Sequence, residues 1–262
     1  MYFDNNNLVM FEKYDIRDNF IAYFDILGYK DKLNSDKDNN GANLLNIISD
    51  IINFSEILVS YNTKSESKTE IKMRALSDSY IFSTETDYVS LMLMVGGIQA
   101  ASIFNDIFIR GSLCYGSLFL NEKIAFGQGL VEAYKLESKL AVFPRLIIDD
   151  SFFSGIVYKD SEIYKRDVTI KEVEYSLKKL ICNDFDQYKF IDYLEIMKNY
   201  KEKEINIYPD NKNAFDKFLN DHAKYIKLNL QNENKRIVQK YHWCKNYHNE
   251  FCKKYKYLDL II

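Results

Sequence analysis

The chain has 262 residues, 47% of them hydrophobic and 28% charged, with a formal net charge of -3. Those values describe a globular chain long enough to bury a sizeable core. The near balance of charge excludes a global basic field for nucleic acid or anionic membrane, so a polyphosphate ligand must be held by a few placed cations or by metal.

Taken in chain order, Phe20 to Leu27 is an apolar run interrupted by one acid and predicts a buried strand. Asp36 to Gly41 is a polar loop. From Ala42 to Tyr61, Leu44, Leu45, Ile48, Ile51, Ile52, Ile57 and Leu58 recur at helical spacing. Lys64 to Thr69 is a charged turn, and Glu70 to Leu76 with Ser79 to Ser83 predict a hairpin around Ser77-Asp78. Tyr88 to Phe104 predicts a helix buried on most sides. Ile107 to Tyr115 predicts a strand, Ser117 to Ala125 its antiparallel return, Gly129 to Leu140 a helix, and Arg145 to Ile148 a last core strand. Pro144 and Pro209 are the two prolines of the chain, which favours long elements.

The order β-α-β-β-α-β, followed by a further strand, helix and strand, is the ferredoxin-like split unit with an extension, an α+β fold. It predicts one compact domain over residues 17–150. Residues 151–262 are expected to form a mainly helical extension packed on that core. Helices are predicted at Gln187 to Lys198 and from Asn211 to Tyr257, with a break near Asn229 to Asn234 and a turn at Pro209-Asp210-Asn211.

The first residues lack the basic head and long apolar run of a secretory signal. The most apolar window, Leu91 to Ile103, is too short to span a bilayer and contains Gly96, Gly97 and Gln99. Cys114, Cys182, Cys244 and Cys252 show no paired spacing, which suits a reducing compartment. The expectation is a cytoplasmic protein without a membrane or nucleic-acid partner.

Two segments carry chemistry. In FDILGY, Phe24 to Tyr29, a carboxylate closes a buried strand and a glycine follows three residues later. Asp25 would stand at the mouth of the sheet, the Ile26 carbonyl would face the same spot, and Gly28 would let backbone amides approach a phosphate; together these suit a hard cation beside a triphosphate. In RALSDSYIFS, Arg74 to Ser83, Asp78 sits at the tip of the predicted hairpin. The split unit lays that hairpin beside the first strand, so Asp25 and Asp78 could converge on a pair of divalent ions. Each acid taken alone is also an ordinary turn residue.

DILGY followed by SDSYIFS resembles two motifs of the class III nucleotidyl cyclases. Arg110-Gly111 to Gly116 is similar to their arginine- and glycine-bearing strand, and FGQGLVEAYKLES, Phe126 to Ser138, to their last catalytic helix. The resemblance covers roughly residues 18 to 148. It implies that Asp25 and Asp78, with the Ile26 carbonyl, bind two divalent ions, Mn2+ or Mg2+, and that Gly28 and Tyr29 hold phosphate. In that family an Asn and an Arg of the last helix orient ribose and stabilise charge at the α-phosphate; here those positions are Val131 and Lys135, and the purine-reading lysine falls on Arg74. A lysine supplies charge without a bidentate fork, and a valine supplies neither.

The altered set is similar to the pyrimidine cyclases of bacterial Pycsar antiphage systems. Lys240-Tyr241-His242-Trp243 through Tyr247-His248-Asn249 also resembles their C-terminal segment. The implied activity is conversion of UTP to 3′,5′-cyclic UMP, with cyclic CMP from CTP or an inert nucleotide-binding regulator as alternatives. The implied assembly is a homodimer with sites at its interface, and the product acts on a downstream effector. Arg74, Ser77, Ser79 and Tyr115 are candidates to read the base. Arg110 and Arg17 are candidates for phosphate or base, and Lys135 for the α-phosphate, each with a structural or solvent-facing alternative. Cys244, His248 and Cys252 form one helical stripe of about 12 Å, too long for a single zinc ion, so packing is expected there, as for Trp243 and Tyr247.

Overall fold

The computed structural model describes residues 15–62, 71–202 and 214–262. The expected turns at Lys64 to Thr69 and Pro209 to Asn211, and Glu70, lie outside the described residues.

Strand β1 (Arg17–Ile26) runs into a short helix α1 (Tyr29–Ser35) and the long α2 (Ala42–Asn62). The hairpin β2 (Lys72–Leu76) and β3 (Ser79–Thr84) precedes α3 (Tyr88–Ile103), β4 (Ile109–Leu120), β5 (Ala125–Phe126), α4 (Gln128–Lys139) and β6 (Leu146–Ile148). Then come α5 (Asp150–Tyr164), α6 (Ile170–Leu177), β7 (Ile181–Asn183), β8 (Lys189–Ile191), α7 (Tyr193–Glu202), α8 (Ala214–Asn229) and α9 (Lys235–Tyr255). The sheet order is β2-β3-β1-β4-β6-β8-β7, with β5 paired to β4. Its β2-β3-β1-β4 half is antiparallel throughout and has the ferredoxin-like order.

Strand β1 organises the site because it is buried on both faces. Phe20, Ala22, Phe24 and Ile26 enter the large core with α2, α3 and the C-terminal helices. Ile21 and Tyr23 enter a smaller core with Ala133 and Leu136 of α4. Alternation places Asp25 on the α4 face, one step beyond Tyr23. Helix α3 is apolar nearly all round because it is enclosed: Leu91, Met92, Val95 and Ile98 are among its buried residues. Gly96 makes room for α7, since a Cβ there would lie 2.6 Å from Ile196 Cδ1.

Two expectations are corrected. β4 does not break at Gly116 but runs on to Leu120. Gly116 packs on α4 instead, where its Cβ would lie 3.1 Å from Gly129 Cα. The chain reverses after Asn121, whose Oδ1 accepts from the amides of Lys123 and Ile124. The expected helix from Gln187 starts at Tyr193, because Phe190 and Ile191 are buried in β8 and Asp192 Oδ1 accepts the Glu195 amide at the helix start. Beyond residue 150 the sheet continues through β8 and β7, so this region is helical with a two-stranded edge. The break between α8 and α9 ends at Asn234, which caps α9 by accepting the Arg236 amide.

Candidate active site

Cross-strand register builds the site. Leu76, Ser79, Asp25 and Arg110 are direct neighbours across β2, β3, β1 and β4, so they share the α4 face. The next row holds Arg74, Ile81, Tyr23 and Ser112. Asp78 stands beside the first row: Ser77 takes φ +60° at the first turn position, as a two-residue hairpin requires. The Asp78 carbonyl then accepts the Ile26 amide at 3.1 Å. Asp25, near the end of β1, and Asp78, in the turn before the adjacent β3, thus lie at one end of the sheet.

Asp25 is engaged. Arg110 Nε donates to its Oδ1 at 3.0 Å and Nη2 to Oδ2 at 3.1 Å, a two-point fork. Arg110 Nη1 donates to the Ala141 carbonyl at 3.3 Å. Nη2 also lies 2.7 Å from Glu137 Oε1, at ion-pair distance but without hydrogen-bond alignment, so that oxygen receives charge and no directed donor. Glu137 comes from α4 and is 4% exposed. Burial, then the Asp25 charge, push its carboxyl up to about 7 against the opposing pull of Arg110. Burial, above all, raises the pKa of Tyr23, against the opposing pull of Ser79. Lys240 of α9 is half-buried at the same end and feels the charges of Arg110, Asp25 and Glu137; burial, then Arg110, lowers its pKa.

The remaining expected residues divide. Gly28 has φ +70° and open space around the position of a Cβ, directly before Tyr29 and α1. Arg74 lies on the α4 face by register, with Nη1 3.5 Å from the Asn121 carbonyl. Tyr115 pairs opposite Phe20 and packs in the large core, on the face away from Asp25. Arg17 is at the far end of β1, eight residues or about 27 Å from Asp25, where it pairs with Asp15 and Glu85. Lys135 is two residues from Glu137, about 200° around the helix, and it pairs with Glu132 in solvent at 3.2 Å. Within one chain, then, neither Arg17 nor Lys135 is brought to Asp25.

Glu137 and Lys240 were not anticipated, although a signal for both exists. Glu137 follows Ala133 by four residues on the buried stripe of α4, and Lys240 precedes Cys244 by four on that of α9. A charge on an apolar stripe is the anomaly that marks them.

Asp25 and Asp78 offer hard oxygen donors of the type that Mg2+ or Mn2+ prefers. Among the described residues no three His, Cys, Asp or Glu side chains form a cation cage. Asp25 would share its oxygens between the ion and Arg110. Among the described residues no helix is long and apolar enough to cross a membrane. His248 is accounted for by packing: Nε2 meets the Leu260 carbonyl at 2.9 Å and Nδ1 meets His222 Nδ1 at 3.1 Å.

No family model matches the chain, and no curated protein sequence matches it. Among solved structures, two of bacterial light-regulated adenylyl cyclases align with TM-scores of 0.40 and 0.39, at 14% and 13% identity. Each alignment covers 54% of this chain and 45% of the other, so this chain spans less than half the length of either.

Proposed function

We propose that the protein is a nucleotidyl cyclase that converts UTP to 3′,5′-cyclic UMP and pyrophosphate. The observation that supports it most is the placement of Asp25, on β1, beside Asp78, in the β2–β3 turn, at one sheet end, fixed by the Ile26 amide to Asp78 carbonyl bond at 3.1 Å. Asp25 and Asp78 would hold the divalent ions, which when bound activate the ribose 3′-hydroxyl and neutralise the leaving pyrophosphate. The chain's own residues orient them. Arg110 fixes the Asp25 carboxylate in one rotamer, and the Ser77-Asp78 turn holds the second acid against β1. The base assignment, and release of the product as a messenger to an antiphage effector, rest on the motif resemblance.

Incubation of the purified chain with each of the four nucleoside triphosphates and Mn2+ tests the proposal. Cyclic UMP is the expected product; cyclic CMP would move the assignment to CTP. Asp25→Asn and Asp78→Asn should each lower the rate by about 100-fold or more, the loss of several kcal/mol of charge stabilisation. A second reading, an inert nucleotide-binding regulator, is favoured by the engagement of Asp25 with Arg110 and by the outward-facing Val131 and Lys135. Absence of cyclic product from all four triphosphates would select it.

A further inference from the structure

Helix α9 docks where the Asp25 strand ends. The Tyr241 ring meets Phe108 edge-on, 4.9 Å between centroids at 85°. Phe108 stands two residues before Arg110, and its carbonyl accepts the Leu27 amide at 2.8 Å, two residues after Asp25. Lys240 is the neighbour of Tyr241 and heads the inward stripe of α9, with Cys244, Tyr247 and His248 buried below it at the fourth, seventh and eighth positions.

A lysine half-buried on such a stripe is normally paired. Among the described residues the Lys240 ammonium makes no hydrogen bond and no ion pair, although it feels the charges of Asp25 and Glu137. The donors of Arg110 are by contrast directed at Asp25 and the Ala141 carbonyl, and its charge also faces Glu137. Lys240 therefore brings a positive charge and three undirected donors to the acid end of the sheet. Charge that is costly to bury is repaid when an anion docks against it, and an ammonium is a compact point charge suited to phosphate oxygens.

We infer that Lys240, supplied by the C-terminal helix, is a phosphate-binding residue of the Asp25 site and contacts the polyphosphate of the nucleotide. The inference rests on reading that site as one for a nucleoside triphosphate. It gives the C-terminal segment a direct part in substrate binding.

The test measures binding of inorganic tripolyphosphate to the full chain by calorimetry without added metal, alongside steady-state kinetics with UTP and Mn2+. Lys240→Gln should weaken tripolyphosphate by about 10-fold to 100-fold, the worth of a charged hydrogen bond, and raise KM more than it lowers kcat. Lys240→Arg should bind within about threefold of wild type and Lys235→Gln, in the exposed first turn of α9, within about twofold, since each keeps the charge at position 240. Lys240→Met, with a similar stem, replaces the Gln variant if that one does not fold. Tripolyphosphate affinity and KM unchanged in the variant, or no binding by the wild type, would overturn the inference. If no triphosphate is cyclised but tripolyphosphate binding still depends on Lys240, the phosphate site stands and the cyclase reading falls. If Lys240→Gln makes cyclic product with the wild-type KM, the reverse holds.

Discussion

Glu137 lies between opposing neighbours: the Asp25 carboxylate favours its proton, and the Arg110 guanidinium favours its loss. Burial tips the balance, and its carboxyl titrates at about 7 in place of the ordinary 4.5. The folded state therefore holds a proton that the unfolded chain has released, so this group's stability is fully present below about pH 4.5 and is lost as pH rises through about 7. Glu137→Gln keeps the neutral shape and should flatten that slope. In urea melts at pH 5 and pH 8, wild type should lose about 2 kcal/mol more than the variant, since one pKa unit corresponds to 1.36 kcal/mol. Equal losses would show that Arg110 holds Glu137 ionised throughout. Gly28 is the second residue whose backbone matters here. Its φ of +70° is left-handed, and a Cβ would meet nothing within 4 Å, so Gly28→Ala carries conformational strain alone. That strain is about 1 kcal/mol, seen as a small drop in melting temperature.

At the scale of elements, the C-terminal region is tied to the core through one buried arginine. Arg145, just before β6, is 0% exposed and forks to Asp184 and Asp186 of the β7–β8 hairpin. Its guanidinium lies 5.3 to 5.8 Å from the rings of Phe143, Phe190 and Trp243, and Trp243 Nε1 donates to Asp184 at 2.6 Å. Removal of a partner from a buried pair leaves stranded charge, so Arg145→Met should cost about 3–5 kcal/mol, a fall of about 10 °C in Tm by calorimetry. The helices α8 and α9 add a second tie, in which Tyr193, His222 and His248 bond in series at 3.0 and 3.1 Å. Burial, then His248, keeps His222 well below its ordinary pKa. That contribution is present above pH 6.5 and is lost as pH falls below it, the opposite sign to Glu137. Most strands and helices of the first 150 residues were legible, α2 from its helical spacing and β1 from an apolar run buried on both faces, whereas the length of β4 past Gly116 was not. The β7–β8 hairpin was not, because its three-residue strands carry too few positions for a period, and Arg145 holds it through charge. The adjacency of Asp25 and the Asp78 turn at one sheet end was legible from the strand order. Arg110 as the partner of Asp25 was not, since cross-strand register is set by pairing that no local motif encodes.

At the scale of the whole molecule, α4 covers its sheet with Gly129, Ala133, Leu136 and Glu137 and turns Val131 and Tyr134 outward, 47% and 55% exposed. Phe126 and Ile124, just before the helix, are exposed as well. Apolar side chains grouped around one helix suit a contact with a second copy, and a twofold contact uses the same patch on both subunits. Lys135 projects from this exposed side, away from its own Asp25, so a partner's site is the one it could serve. Light scattering with size exclusion should therefore give twice the mass of the chain, and Val131→Glu should give the monomer. Asp25→Asn and Lys135→Gln, each of low activity alone, should complement when mixed under conditions that exchange subunits. Half of the dimers are then mixed, and each of these has one site with both side chains intact, so activity should recover to about a quarter of wild type. A dimer that shows no recovery would leave Lys135 as a solvent-facing partner of Glu132 and remove it from the chemistry.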